Sequence, residues 1–236
     1  MEYTKLSRRR VLTFGTAAAV GVLASGSHAV AAPHSPVTRR PPASEVWTRL
    51  VEGNARFAAG VPDHPHQDPD WRRSLVSGQE PFACVLGCAD SRVPPEVVFD
   101  QGLGDLFTVR AVGEVLDDAV VGSIEYGAEH LNVPTLVVLG HAECGAVKAA
   151  IDLVRGTSEV TGAVDTVARA IEATVRATPP AQDEGEFVAA CVRNQATRVA
   201  TTLPRRSATV RAAVDGGRLE IITAVYDLTS GLVTRI

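Results

Sequence analysis

Aromatic residues, cysteine and basic surface are all scarce in this chain of 236 residues. The few cysteines and the lack of basic surface each exclude a class of protein. Phe, Trp and Tyr make up 5% of the sequence, and four cysteines are too few for a disulfide-stabilised scaffold of this length. The formal net charge is −4 and no basic stripe runs through the body of the chain, which argues against nucleic-acid binding. What remains is a chain long enough for one α/β domain with a sizeable core.

Charged residues are also absent from a long stretch near the N-terminus. Residues 11–38 contain no Asp, Glu, Lys or Arg and follow three arginines at 8–10. Gly and Ala dilute this stretch, so it is too short and too mildly apolar for a membrane-spanning helix. Small residues at 29–31 offer a cleavage site, and the Ser-Arg-Arg start resembles a twin-arginine export signal. We expect residues 1–31 to be a signal peptide, cleaved near Ala31, and the mature protein to be periplasmic or extracellular.

Short apolar runs alternate with helical segments through the rest of the chain. A Pro-rich linker is predicted at 32–43, followed by a helix with Ser44 as its N-cap and Gly60 as its stop. Apolar runs typical of buried strands occupy 82–87, 105–113 and 135–140, with a terminal strand pair in 219–233. Further helices are predicted at 123–131, in 146–178 with a break at 156–162, and at 186–203. This alternation predicts an α/β domain over residues 44–236, with a central, mostly parallel β-sheet flanked by helices and an N-terminal helical arm.

One predicted strand-to-helix turn combines an imidazole with a thiol. The stretch VVLGHAECGAVKAA, residues 137–150, places His141 and Cys144 between an apolar run and an Ala-rich helical segment. A phosphate-binding loop is excluded, because Ala146 stands where its lysine is required and the acidic Glu143 would face the anion. Imidazole and thiolate are instead soft ligands for a metal such as zinc.

A third soft ligand, Cys88, follows another apolar run in the sequence GCADSR. The carboxyl ends of neighbouring parallel strands meet at one crevice, so Cys88, His141 and Cys144 can reach the same ion. Three protein ligands leave a fourth position open, which is the pattern of a catalytic zinc site. Asp90 and Arg92 can reach that open side, where the carboxylate accepts a hydrogen bond and the guanidinium restrains it. A solvated surface ion pair is the alternative interpretation of these two residues.

The stretch CADSRVPPEVVFDQGLGDLF, followed 53 residues after Cys88 by HAEC, resembles the β-class carbonic anhydrases. Their pattern is Cys-x-Asp-x-Arg and then His-x-x-Cys, preceded by an apolar strand and followed by Gly. The resemblance extends from about Leu50, in the EGN-x-RF arm, to VYDLTSG at 225–231. It implies zinc-dependent, reversible hydration of carbon dioxide to bicarbonate and a proton. The open alternatives are a CS2 or COS hydrolase on the same scaffold, and a non-catalytic zinc or thiol redox module.

The resemblance also implies roles for individual residues. Cys88, His141 and Cys144 are the expected ligands of Zn2+, and Asp90 with Arg92 is the expected catalytic pair. Substrate-contacting or pocket-lining positions are implied for Gln79, Gly87, Val93, Phe107 and Tyr126. The family completes this pocket across a dimer interface, so the resemblance implies a homodimer or homotetramer that acts on carbon dioxide and bicarbonate.

Two positions depart from the family pattern. Some bacterial members are regulated by a bicarbonate ion held by Trp, Arg and Tyr. Arg110 and Tyr226 match two of these positions, but Val85 replaces the tryptophan. Ala111 replaces the Asn that usually follows the strand arginine. The resemblance therefore gives no support to an allosteric bicarbonate site in this chain.

Both remaining cysteines, and histidines other than His141, lie outside this pattern. Cys84 and Cys191 are expected to be buried apolar side chains, because free cysteine behaves as a small hydrophobic residue. His64 and His66 lie in an arm rich in Pro and Asp, and we expect them to be solvated.

Overall fold

A computed structural model describes residues 41–157, 159 and 161–236, so the predicted signal peptide and most of the predicted linker lie outside the described residues. The helices are Ala43–Ala58 (α1), Pro69–Ser74 (α2), Pro95–Val98 (α3), Asp118–Glu129 (α4), Gly145–Arg155 (α5), Ala163–Ala177 (α6), Glu184–Arg206 (α7) and Ala208–Asp215 (α8). The strands are Ala83–Gly87 (β1), Leu106–Arg110 (β2), Thr135–His141 (β3), Glu220–Tyr226 (β4) and Val233–Arg235 (β5). Single 3₁₀ turns occupy Leu75–Ser77 and Val112–Glu114. Among these helices, none is long and apolar enough to cross a bilayer.

The five strands form one sheet in the order β2-β1-β3-β4-β5. The first four strands are parallel, and β5 pairs antiparallel with β4. Every residue of β1 and β3 is buried, as expected for central strands that helices cover on both faces. The prediction of a mostly parallel sheet flanked by helices is confirmed, and so is the terminal strand pair.

Side chains alternate between the two faces of the sheet and pack against different helices. Leu86, Leu136 and Val138 lie in an apolar cluster with residues of α4, α7 and α8. Val85 and Leu139 lie in a second cluster with residues of α1 and α3. A third cluster joins α5, α6 and α7 beyond the carboxyl ends of β1 and β3. The third cluster therefore surrounds the edge of the sheet at which the predicted metal ligands occur.

The ends of α1 differ in part from the prediction. The helix begins at Ala43 with Pro42 in the N-cap position, and the N–H groups of Glu45 and Val46 donate to the carbonyl of Pro42. Ser44 therefore lies inside the first turn, and its prediction as the N-cap is wrong. Gly60 follows the last residues of the helix with φ +71°, a conformation that suits glycine, so the predicted stop is confirmed.

The arm after α1 is anchored more firmly than its polar sequence indicates. The ring of His66 stacks on Trp71 with centroids 3.9 Å apart, and its Nδ1 lies 2.8 Å from Oδ2 of Asp105. The expectation that His66 is solvated is wrong, because the arm folds back against the segment that precedes β2. His64 is exposed as expected, although its backbone N–H donates to Asp100.

Candidate metal centre

Three ligand atoms meet where two neighbouring strands end. Cys88 directly follows β1, His141 is the last residue of β3, and Cys144 is the N-cap residue of α5. Because β1 and β3 are adjacent and parallel, their carboxyl ends lie side by side. The two sulfurs and an imidazole nitrogen lie within 4.8 Å of one another, and all three residues are buried. The structure thus brings together the three predicted ligands.

The imidazole of His141 is held in the orientation that metal binding requires. Its Nδ1 lies 2.8 Å from the carbonyl oxygen of Ala142, and a hydrogen bond there leaves the lone pair of Nε2 free. Nε2 is buried and has no hydrogen-bond partner. A buried polar atom without a partner is unfavourable, and an ion between Nε2 and the two sulfurs would satisfy it. Two thiols and one imidazole form a donor set that fits Zn2+.

The two thiols influence each other strongly. Hydrogen bonds from the thiol of Cys144 and the N–H of Gly113 lower the pKa of Cys88, although burial opposes this change. The pKa of Cys144 is raised, because its thiol hydrogen-bonds to Cys88 and is itself buried. Two adjacent buried thiols therefore ionise together only when a cation compensates their charge. This behaviour also fits a dithiolate metal site.

A carboxylate–guanidinium pair borders the ligands. Nε and Nη2 of Arg92 donate to the two carboxylate oxygens of Asp90 at 2.9 and 2.7 Å, and the backbone N–H of Arg92 donates at 2.9 Å. These hydrogen bonds hold the pKa of Asp90 well below its usual range, although burial opposes them. Oδ2 of Asp90 lies 3.9 Å from Nε2 of His141. The geometry favours a pair that faces the ligand cluster over a solvated surface ion pair.

Arg110 braces the loop that carries both Cys88 and Asp90. Its Nε donates to the carbonyl of Cys88 at 2.9 Å, and its Nη2 donates to the carbonyl of Asp90 at 2.6 Å. Sequence reasoning matched Arg110 only to a bicarbonate position and missed this role. The pairing of the two strands would have indicated this role, because Arg110 at the end of β2 lies opposite Gly87, the residue before Cys88, at the end of β1.

The five predicted pocket residues fall in different parts of the described structure, except that Phe107 and Tyr126 are neighbours. Gly87 precedes Cys88 in the buried strand, and Val93 belongs to the apolar cluster beneath α1 and α3. Phe107 packs in the opposite cluster and lies 6.0 Å from the ring of Tyr126, which is 47% exposed. Gln79 is exposed in the segment before β1. The described chain does not place these side chains in one apolar cluster, so their roles stay predictions.

Glu114 is a buried carboxyl that sequence reasoning did not identify. It is 2% exposed, its Oε1 has no hydrogen-bond partner, and its φ is +51°. Burial raises its pKa well above the usual value, and the nearby charge of Cys88 raises it further. An acidic residue in a short polar turn is normally solvated, so no local sequence signal indicates this burial.

Similarity to known proteins agrees with this geometry. The family model for carbonic anhydrase matches residues 83–233. Carbonic anhydrase 2 of Mycobacterium tuberculosis is 44% identical over 189 residues, which cover 78% of this chain and 88% of that protein. A carbonic anhydrase of Mycolicibacterium smegmatis is 58% identical over 105 residues, which cover 44% of this chain and 51% of that protein.

Solved structures of β-carbonic anhydrases share the fold. The Coccomyxa enzyme in complex with acetazolamide superposes with a TM-score of 0.65 at 24% identity, covering 79% of this chain and 84% of that chain. A β-carbonic anhydrase of Sordaria macrospora superposes with a TM-score of 0.64 at 23% identity, covering 81% of this chain and 97% of that chain. From the family match, the conserved fold and the ligand geometry together, we conclude that this chain belongs to the carbonic anhydrase family and has the fold of its β class.

Proposed function

We propose that this protein is a zinc enzyme that reversibly hydrates carbon dioxide to bicarbonate and a proton. The observation that carries the proposal is the meeting of Cys88, His141 and Cys144 within 4.8 Å, with Nε2 of His141 buried and unpartnered. Two thiolates and one imidazole supply three of the four ligands that zinc takes, which leaves one position for chemistry. The curated relatives named above carry the same activity in their names, which supports the assignment.

The chain's own residues prepare the open side of this cluster. When bound, Zn2+ supplies the Lewis acidity that makes hydroxide available from water near neutral pH. Asp90 remains a carboxylate at neutral pH, because its hydrogen bonds to Arg92 hold its pKa well below the usual range. It can therefore accept a hydrogen bond from a hydroxyl group beside the cluster and orient that oxygen toward carbon dioxide. Arg110 fixes Asp90 and Cys88 relative to each other through their carbonyls.

Substrate is proposed to dock among the pocket residues that the family resemblance implies. Gln79 would donate to an oxygen of carbon dioxide, while Gly87 and Val93 form a small apolar wall. Phe107 and Tyr126 would complete the pocket together with a second copy of the chain. Val93 and Phe107 pack in different apolar clusters of one chain, which is consistent with a pocket that two chains share.

A rapid-mixing assay tests the proposed activity. Purified protein with measured zinc content is mixed with dissolved carbon dioxide, and a pH indicator records proton release. We expect one zinc ion per chain and a fast pH change that chelation of the zinc abolishes. Hydrolysis of COS or CS2 without carbon dioxide hydration would assign the scaffold to the other substrate class. A metal-free protein with a Cys88–Cys144 disulfide would assign it to redox chemistry.

We also propose that the protein assembles as a homodimer or homotetramer. Val97 and Leu103 are exposed apolar side chains and line a groove of about 540 Å3 near the start of β2. Exposed apolar side chains that line one groove are a feature of interaction surfaces. The structures from Sordaria macrospora are described as tetrameric. Sedimentation velocity is expected to show two or four chains per particle, and a stable monomer with full activity would contradict the shared pocket.

Export by a twin-arginine route is proposed for residues 1–31. An unfolded chain in an oxidising compartment would expose Cys88 and Cys144 to disulfide formation, whereas a folded chain can acquire zinc in the reducing cytoplasm before export. The double variant Arg8→Lys with Arg9→Lys should therefore keep an active, zinc-loaded precursor inside the cell. Fractionation with zinc measurement in each fraction tests this. Unchanged export would contradict the route, and a zinc-free cytoplasmic precursor would contradict the order of loading.

A further inference from the structure

A strained turn supplies a hydrogen bond to one of the predicted zinc ligands. In the 3₁₀ turn after β2, Gly113 and Glu114 are consecutive residues with positive φ, +66° and +51°. This conformation is unfavourable for a glutamate, so other contacts must hold the turn in place. The N–H of Gly113 points out of this turn and donates to Sγ of Cys88 at 3.3 Å.

Close packing restricts the turn to glycine at position 113. A Cβ atom there would lie 2.7 Å from Cδ1 of Ile171 and 2.8 Å from Cβ of Ala146. The backbone of the turn is thus pressed between α5 and α6. This packing limits where Gly113 can lie, but it does not fix the direction of its N–H group.

A buried amide on α7 fixes that direction. Gln195 is 3% exposed, and its Nε2 donates to the carbonyl of Gly113 at 3.1 Å. Its Oε1 accepts a hydrogen bond of 2.7 Å from the hydroxyl of Thr174 on α6, which is also buried. Because the carbonyl of Gly113 can only accept a hydrogen bond, the amide must present its N–H side to Gly113 and its oxygen to the hydroxyl of Thr174. Both ends of the side chain are therefore engaged, and neither contact involves water or substrate.

We infer that Gln195 is a positioning residue for the metal centre. By holding the carbonyl of Gly113, it keeps the N–H of the same residue directed at Sγ of Cys88 and so maintains a hydrogen bond to that ligand atom. The carbonyl and the N–H of Gly113 belong to different peptide groups, so Gln195 acts by fixing the residue rather than by polarising one amide. Partners of this kind, which orient a ligand without touching the metal, are energetically important in metal sites. The inference rests on the proposed zinc function.

A purely structural role for Gln195 makes a different prediction, and a neighbouring residue provides the control. Asn194 also lies on α7, and its Nδ2 donates at 2.9 Å to the hydroxyl of Thr178, which directly follows α6. Asn194→Ala therefore removes a hydrogen bond between the same two helical segments without touching the turn. If Gln195 only joins the helices, its loss and the loss of Asn194 should affect zinc in the same way.

The test compares Gln195→Met with Asn194→Ala in the full zinc-loaded protein. Methionine keeps a similar volume but cannot form either hydrogen bond. Zinc release to a chromogenic chelator should be about tenfold or more faster in Gln195→Met and within about twofold of the wild type in Asn194→Ala. In the cobalt-substituted proteins, the thiolate-to-cobalt charge-transfer band should shift to lower energy only in Gln195→Met, because the thiolate loses its N–H donor.

A second variant keeps the inference testable if Gln195→Met does not fold. Thr174→Val retains Gln195 but removes the donor that orients its amide, and it should accelerate zinc release and shift the band in the same direction by a smaller amount. Zinc release and a cobalt spectrum equal to those of Asn194→Ala, in whichever of the two variants folds, would overturn the inference. A wild-type protein that binds no zinc would instead overturn the proposed function, and this inference with it.

Discussion

Cys84 and Cys88 lie four positions apart and are both buried, but the pKa values of their thiols are shifted in opposite directions. Cys84 lies inside β1 among apolar side chains, and burial alone raises the pKa of its thiol to about 12. Cys88 lies just beyond the end of β1, where hydrogen bonds from Cys144 and the N–H of Gly113 lower its pKa. Burial therefore makes a thiol inert unless the fold also brings donors to it. Cys88 has these donors because it lies at the end of the strand, whereas Cys84 lies inside the strand and has none of them.

The other two cysteines share one apolar cluster but differ in the side chains that they face. Cys144 and Cys191 both belong to the cluster that joins α5, α6 and α7. The pKa is raised for both thiols, but Cys191 lies within α7, whereas Cys144 at the start of α5 faces Cys88 and His141. The apolar surroundings are shared, so they do not explain the difference. The neighbouring ligand atoms do.

Replacement of Cys88 should produce the largest effect. A serine hydroxyl is a much poorer zinc ligand than a thiolate, so Cys88→Ser should lose zinc and carbon dioxide hydration together. We expect activity to fall by more than about 100-fold, since the loss of a residue that merely supports a ligand already reduces activity by 10–100-fold. Zinc content by atomic absorption and the rapid-mixing assay measure both quantities. Full zinc with full activity would contradict the ligand assignment.

Arg92→Ala should reduce activity but leave zinc bound. The pair of Asp90 and Arg92 has no counterpart near Cys84, and it acts on the open side of the cluster rather than on a ligand. Without the guanidinium, Asp90 is free to turn toward the ligands, and we expect an activity loss of about 100-fold, the range for a mispositioned acid–base group. Arg92 is half exposed, so the stability of the protein should hardly change. Loss of zinc in this variant would show that Arg92 is a structural residue.

Cys84→Ala provides the matched change at the inert cysteine. It removes one buried sulfur from a well-packed cluster, so the free energy of unfolding at pH 7 should fall by about 1–2 kcal/mol. Zinc content and activity should equal those of the wild type. Denaturant titration of the zinc-loaded proteins measures the stability difference. A loss of zinc in Cys84→Ala would mean that the two cysteines are not functionally separate.

The smallest expected effect is the pH dependence of that stability difference. The folded pKa of Cys84, about 12, exceeds its ordinary value of 9.0, so its contribution to stability is complete below about pH 9 and is lost as the pH rises toward 12. The difference between wild type and Cys84→Ala should therefore shrink by about 1 kcal/mol between pH 7 and pH 10. A difference that stays constant or grows would contradict a neutral, merely buried thiol.

The sequence allowed the sheet and the meeting of Cys88, His141 and Cys144 to be predicted, because the signals for both are local. Continuous apolar runs marked β1 and β3, and the soft ligands follow directly where each run ends. The start of α1 was predicted wrongly, because Pro42 takes the cap position and Ser44 resembles a capping residue without acting as one. Helix α8 was not predicted, since its eight residues follow α7 with only Ser207 between them.

The surroundings of the ligands were not predictable, because they depend on contacts between distant segments. Gln195 reaches Gly113 across 82 positions, and the burial of Glu114 follows from the packing of helices that come later in the chain. Arg110 was noticed for a different reason, and its hydrogen bonds to Cys88 and Asp90 appear only once β1 and β2 are paired. A single sequence contains no periodicity that reports such contacts.

The zinc K-edge X-ray absorption spectrum of the purified wild-type protein tests the central claim most directly, since it reports the ligand atoms without reference to activity. We predict one zinc ion per chain with two sulfur neighbours at about 2.3 Å and nitrogen or oxygen neighbours at about 2.0–2.1 Å. More than two sulfur neighbours would mean that Cys84 or Cys191 also binds the metal. A shell without sulfur, or a protein without zinc, would contradict the distinction between the two kinds of buried cysteine.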